Sequence, residues 1–253
     1  MSENERVDVA APGTWEALTL LGLMRSRTEY RPVGPTDEFT LEAMRDLAAL
    51  DLIEVPWPSL HWPENVTGDH TTYERFGWRL AVPRASEGII ALLEAALLES
   101  QTDPGRSSQW VKIWQRLAAA ESIGFLGHQL DQLSMPWQWR QDATALLTAM
   151  ATCRPVSEIR YSVWAAARAG SAAFMRTRGD ERQVRDVIVR ELIQRPLLAK
   201  RGNWELKGFQ PKQKEPFSLV GGAFASMTFA DPMSYWTRTP SVAALADGGV
   251  RPE

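Results

Sequence analysis

Cysteine occurs once in the 253 residues, at Cys153, so no disulfide can form within the chain. A thiol nucleophile needs a base beside it, and the residues around Cys153 supply none. Histidine is nearly as scarce: His61, His70 and His128 stand apart, with no companion cysteine and no pair at zinc-site spacing. There is no phosphate-binding Gly-Lys-Ser/Thr loop and no glycine-rich dinucleotide fingerprint, which removes the common nucleotide-binding frameworks. The longest apolar run, Gly88 to Leu98, is interrupted by Glu94 and falls short of the ~20 residues that a bilayer requires. The opening residues Met1 to Ala10 are polar and charged, unlike a secretory leader. These absences predict a cytoplasmic protein with no cofactor, no metal and no membrane partner.

What is present is ordinary in bulk and uneven in placement. Hydrophobic residues make up 44% and charged residues 23%, enough for a sizeable core and too balanced for general disorder. Eleven tryptophans are many for this length, and a Trp-rich core, each ring carrying an N–H handle, is the expectation. Net charge is −3, yet residues 151–215 hold fourteen Lys or Arg against seven Asp or Glu, a local +7 that leaves −10 for the rest. An acidic body with one basic segment points to a localised site for a polyanion.

Along the first hundred residues, Thr14 as a cap and Trp15, Leu18 and Leu21 at helical spacing predict a helix to about Arg25. Thr40 is expected to cap a second helix through Leu41, Met44, Leu47 and Leu50, ended by Asp51. Leu52 to Val55 and Tyr73 to Val82 alternate like strands, with Pro56, Trp57, Pro58, Trp62 and Gly68 in the loop between. Helix, then strand, then strand resembles a winged helix over roughly residues 14–84. The resemblance departs in two places: only the loop Thr28 to Phe39 separates the helices, and the outward positions Glu42, Arg45, Asp46 and Ala49 offer one cation against two carboxylates. A helix reading the major groove needs Arg, Lys, Asn or Gln there. The winged helix is therefore expected to contact protein rather than DNA, through Trp57 and Trp62.

Ser86 is predicted to cap an apolar helix to about Leu98, and the polar stretch Gln101 to Ser108 marks a domain boundary. Beyond it the pattern is all helical: Gln109 to Ala120, Ile123 to Leu133, and a helix opened by Pro136 running to Met150. The fold class is thus mainly α, an N-terminal winged-helix-like α+β domain over residues 1–100, then an all-α helical bundle over 107–230. Residues 231–253 read as an irregular tail.

The concentrated chemistry lies between Ser157 and Arg201, two helices broken at Gly179, with Asp180 and Gln183 capping the second. Ile159, Val163, Ala166, Gly170 and Phe174 side the first helix; Val184, Val187, Ile188 and Leu192 form the core stripe of the second. The candidate nucleic-acid-binding residues are Arg168, Arg176, Arg178, Arg182, Arg185, Lys200, Arg201, Trp204 and Lys207. Arginine forks suit phosphate, and interleaved rings and cations suit single strands. Against this, Glu181 with Arg185 and Asp186 with Arg190 sit four apart and would neutralise each other on a helix surface. The Trp-bearing Arg-rich helices and the Gly-Asn-Trp-x-Leu-Lys-x-Phe run at residues 202–209 resemble, over about 137–229, an uncharacterised group of bacterial mobile-element proteins. That resemblance implies no activity.

One enzymatic alternative is a Mg²⁺ nuclease, in which Glu205 and Lys207 stand as a Glu-x-Lys triplet on a strand with Asp186 upstream. The expectation is a non-enzymatic nucleic-acid-associated protein whose basic helix pair contacts phosphate. A protein-interaction adaptor of a mobile-element or defence system is the second reading.

Overall fold

Short polar side chains cap some of the described helix starts, Thr36, Asp180 and Ser218 among them, while others carry no side-chain cap. The computed structural model describes residues 13–29, 31–55, 78–81, 88–202, 206, 208–209 and 218–248. The first helix, α1, spans Thr14–Arg25, with Gly13 rather than Thr14 at the N-cap position. The Thr14 hydroxyl instead hydrogen-bonds that of Ser100, 2.8 Å away on another helix. Helix α2 spans Asp37–Ala49, and Thr36, not Thr40, caps it by accepting from the Phe39 N–H. Thr40 lies inside the first turn, where its hydroxyl accepts from the Gly34 N–H and ties the incoming loop down.

After α2 the chain forms β1 (Ile53–Glu54), paired antiparallel with β2 (Arg79–Leu80) in the register Ile53 to Leu80 and Glu54 to Arg79. The expected strand from Tyr73 falls on described residues only from 78 onward. Trp57, Trp62, His61 and His70 lie outside the described residues, as does the expected cap Ser86. Helix α3 spans Ile89–Thr102, and a 3₁₀ turn over Pro104–Arg106, capped by Asp103, turns the chain into α4.

Helix α4 runs unbroken over Ser107–Gln132 where two helices are expected. Glu121 and Ser122 do not interrupt it, because the Ser122 hydroxyl bonds back to the Ala118 carbonyl and leaves the ladder intact. Gly124 is not a breaker but a point of close approach: a Cβ there would lie 2.7 Å from the Pro35 carbonyl oxygen. At 1.5 Å per residue α4 is about 39 Å long, and it forms the axis of the molecule. A 3₁₀ segment over Trp137–Ala143 precedes α5 (Thr144–Ala151). Then come α6 (Val156–Arg176), α7 (Glu181–Arg201), α8 (Leu219–Thr228), α9 (Ser234–Thr237) and α10 (Val242–Gly248). The described architecture is mainly helical, with one two-stranded sheet. None of its helices is long and apolar enough to cross a membrane.

The residues after Ala230, expected to be irregular, carry α9 and α10 and reach the centre of the core. Tyr235 and Trp236 are fully buried, and the Trp114 Nε1–H donates to the Tyr235 carbonyl. Trp110, Trp114, Phe224, Phe229 and Tyr235 make one aromatic nest with centroids 5.0 to 6.4 Å apart. Burying a ring of that size contributes about 2 to 3 kcal/mol. The larger apolar cluster around the nest holds Leu18 and Leu97 from before residues 101–108 together with Trp110 and Phe224 from after them. Burial pushes the Tyr235 phenol well above its ordinary value, Glu121 adds to the rise and Arg160 opposes it.

Candidate nucleic-acid interface

Small residues decide how closely α6 and α7 approach. Gly170 faces Ile188, and a Cβ there would stand 2.5 Å from the Ile188 Cγ1. Ile159, Val163 and Ala166 of α6 and Val184, Ile188 and Leu192 of α7 are buried, as the stripes predict, whereas Phe174 is 38% exposed at the open end. The turn between the helices closes by the Gly179 N–H donating to the Phe174 carbonyl at 3.0 Å and the Thr177 N–H to Ala173 at 2.9 Å. The left-handed residue that this closure needs is Arg178, at φ 53°, with Gly179 following at φ 86°. Asp180 then caps α7 by accepting from the Gln183 N–H, as expected.

This geometry sets Arg176, Arg178 and Arg182 around one turn, all three exposed. Among the described residues none of them makes a hydrogen bond, an ion pair or a ring contact. Arg190 and Arg201 are likewise exposed and, among the described residues, unengaged, whereas several other arginines are held. Arg25 pairs with Glu94, Arg116 with Glu42 and Asp46, Arg140 with Glu38, Arg154 with Glu158, and Arg195 with Glu191.

The remaining predicted residues separate. Arg185 differs from the three in having a partner, since it reaches Asp142 at 3.4 Å in a pair that is still 41% exposed. The expected neutralising pairs Glu181 with Arg185 and Asp186 with Arg190 do not form. Arg168 is exposed and lies over the Trp164 ring, 4.8 Å from its centroid. Lys200 and Arg201 are exposed at the far end of α7, about 28 Å from Arg182 by helix rise. Trp204, Glu205 and Lys207 lie outside the described residues, and Asp186 sits on a helix rather than on the strand that the nuclease motif requires. Among the described residues no group of three or more His, Cys, Asp or Glu could hold a metal ion.

Two features are not anticipated by the sequence reading. Arg190 belongs with the predicted cations: residues 182, 190, 193, 197 and 201 fall within about 100° of one another around α7, on its exposed side. A groove of about 690 Å³ between α2, α4 and α5 is lined by Glu38, Glu42, Lys112, Arg116, Arg140 and Thr148. Its two arginines are each held by a carboxylate. Arg116 also lies 3.8 Å over the Trp15 ring, and it pairs with Glu42 and Asp46 of α2, of which Glu42 faces outward as expected and Asp46 is half-buried. Comparison of the chain with family models, with curated proteins and with solved structures returned no match.

Proposed function

We propose that this chain is a non-enzymatic nucleic-acid-associated protein that holds phosphates at the turn between α6 and α7. The observation that carries the reading is that Arg176, Arg178 and Arg182 are exposed and unengaged. Two of the three also stand where stability alone would not put them. Arg178 occupies a left-handed position that favours glycine, and Arg182 lies in the first turn of α7, where a cation opposes the helix dipole. Arg190 lies two turns further on the same side of α7, with the exposed Asp186 between it and Arg182. The winged-helix-like reading of residues 14–84 enters as a protein-contact module, since the carboxylates on α2 that would meet a phosphate backbone pair with Arg116 instead.

The test is fluorescence anisotropy of a labelled oligonucleotide over a salt series, with the intact chain and an Arg176→Glu, Arg178→Glu, Arg182→Glu variant. Three phosphate contacts contribute about −2.7 to the slope of log K against log salt on duplex, or about −2 on a single strand. The variant is expected to lose that share of the slope and most of the affinity. Equal binding by the variant, or no binding of either strand form at low salt, defeats the proposal.

A second reading, a protein-interaction adaptor, is supported by Ile193, Leu197 and Leu198, which are 47%, 49% and 50% exposed on α7. Aliphatic side chains add nothing to phosphate contact. An Ile193→Ser, Leu197→Ser variant, which adds no charge, is expected to keep its oligonucleotide affinity while losing any protein partner docked on this strip.

A further inference from the structure

We infer that Tyr161, Trp164 and Phe209, with Arg168, form a base-stacking ledge, which makes single-stranded rather than duplex nucleic acid the ligand of the site. The inference rests on the phosphate reading above and names its substrate class.

Trp164 and Phe209 stack with centroids 6.1 Å apart and planes 23° from parallel, and Tyr161 continues the row at 5.9 Å and 31°. All three rings are half-buried on the outward side of α6. Phe209 is fixed there, because its N–H donates to the Ser157 carbonyl at 2.9 Å and its ring rests on Phe125 at 5.8 Å. Arg168 lies over Trp164, so one face of its guanidinium is braced by the indole and the opposite face is open to a base.

A ledge that merely covered the core would account for Phe209, which seals Phe125. It does not account for Tyr161 and Trp164, whose Oη and Nε1 make no hydrogen bond among the described residues. Three core tryptophans, Trp15, Trp110 and Trp114, donate Nε1–H to Asp46, Ser100 and the Tyr235 carbonyl, whereas the buried Trp139, like Trp164, makes no such bond among the described residues. Unused donors on half-buried rings are what a partner with its own acceptors would engage. A proline-rich peptide also docks on aromatic ledges, but the neighbouring charge favours a polyanion. Along α6, Arg176 follows Arg168 by about 12 Å and Tyr161 by about 22 Å, so one face offers rings at one end and phosphate donors at the other. At about 3.4 Å per stacked nucleotide that length holds roughly six, within the site sizes of single-strand binders. A duplex keeps its bases in the stack and has no ring face to offer.

The test compares three labelled ligands on the intact chain: a dT oligonucleotide of about 12 nucleotides, an abasic oligonucleotide of equal length and charge, and the corresponding duplex. The dT strand is expected to bind about tenfold tighter than the abasic strand, the contribution of one well-stacked base. Trp164→Leu is expected to erase that ratio by weakening dT binding more than abasic binding, and Trp164→Phe to restore most of it. Circular dichroism of each variant separates loss of the ring from loss of the fold. Equal binding of dT and abasic strands, or a Trp164→Leu variant that weakens both alike, overturns the ledge and leaves the phosphate proposal standing. Binding of none of the three ligands overturns both.

Discussion

Replacing Arg178 by glycine separates what this residue does for stability from what it does for binding. Its backbone sits at φ 53°, and holding an L-residue in the left-handed region costs about 1 to 2 kcal/mol. Glycine removes that strain but loses more backbone freedom on folding, roughly 0.5 to 1 kcal/mol. Arg178→Gly should therefore be more stable by about 0.5 to 1 kcal/mol, a rise of roughly 1 to 4 °C in midpoint for a chain of this size. Arg178→Ala is the control, because alanine keeps the strain and removes only the charge. Its midpoint should stay close to that of the parent.

The same closure ends two other helices, through the Leu52 N–H donating to Leu47 and the Met135 N–H to Leu130. There the left-handed residues are Asp51 and Ser134, at φ 54° and 55°. A short polar side chain such as Asp adopts that region readily by bonding its own backbone, whereas arginine gains nothing of the kind. Urea midpoints read the stability, and anisotropy with a short oligonucleotide reads the binding. Both variants should lose about 0.7 from the salt slope on a single strand, the share of one phosphate contact. If glycine destabilises, the backbone argument is wrong. If alanine stabilises as much as glycine, the gain comes from relieved charge repulsion and not from the left-handed turn.

Gly170→Ala should destabilise the parent by about 1 kcal/mol, because overpacking against Ile188 outweighs the better helix propensity of alanine. In an Ile188→Ala background the same substitution should stabilise, and additive urea midpoints would refute the close approach of α6 and α7. Tyr235 has its phenol raised by burial, so the unfolded chain releases that proton near the ordinary value of 10.0 while the folded chain keeps it. Stability from this group is complete below pH 10.0 and falls as pH rises toward the folded value, at about 1.4 kcal/mol per pH unit. Tyr235→Phe should lose stability less steeply in that window, and parallel alkaline denaturation curves would contradict the assignment.

Local signals were readable and distant ones were not. The cap at Asp180, the buried stripe of α7 and the break at Gly179 depend on neighbours a few residues away, so spacing alone places them. The contact of Arg185 with Asp142 joins residues 43 apart, and helical spacing offers Glu181 as a nearer partner. The core position of Tyr235 and Trp236 depends on Trp114, more than a hundred residues earlier, and the prolines and glycines around them mimic a loose tail. Glycine misleads in the opposite sense within α4, where Gly124 looks like a weak point and is instead the place where the loop at Pro35 crosses the helix. Tyr161 and Trp164 stand three apart beside a buried stripe, and their spacing alone assigns them no role. Their stacking becomes visible only once Phe209 is laid against them.

The predicted cations do not all carry equal weight, and helix electrostatics ranks them. Lys200 and Arg201 lie in the last turn of α7, where a positive charge complements the dipole, so a structural role suffices for them. Arg182 stands in the first turn of the same helix, where the same field disfavours it. A Lys200→Gln, Arg201→Gln variant should therefore lose about 0.5 kcal/mol of stability at this exposure and keep its oligonucleotide affinity within about twofold. Arg182→Gln should do the reverse, with a midpoint equal to or above that of the parent and a salt slope lower by about one contact. If the Lys200 and Arg201 substitutions weaken binding as much as those at the turn, the phosphate track extends along the whole outward side of α7. The turn would then be one end of the interface rather than its centre.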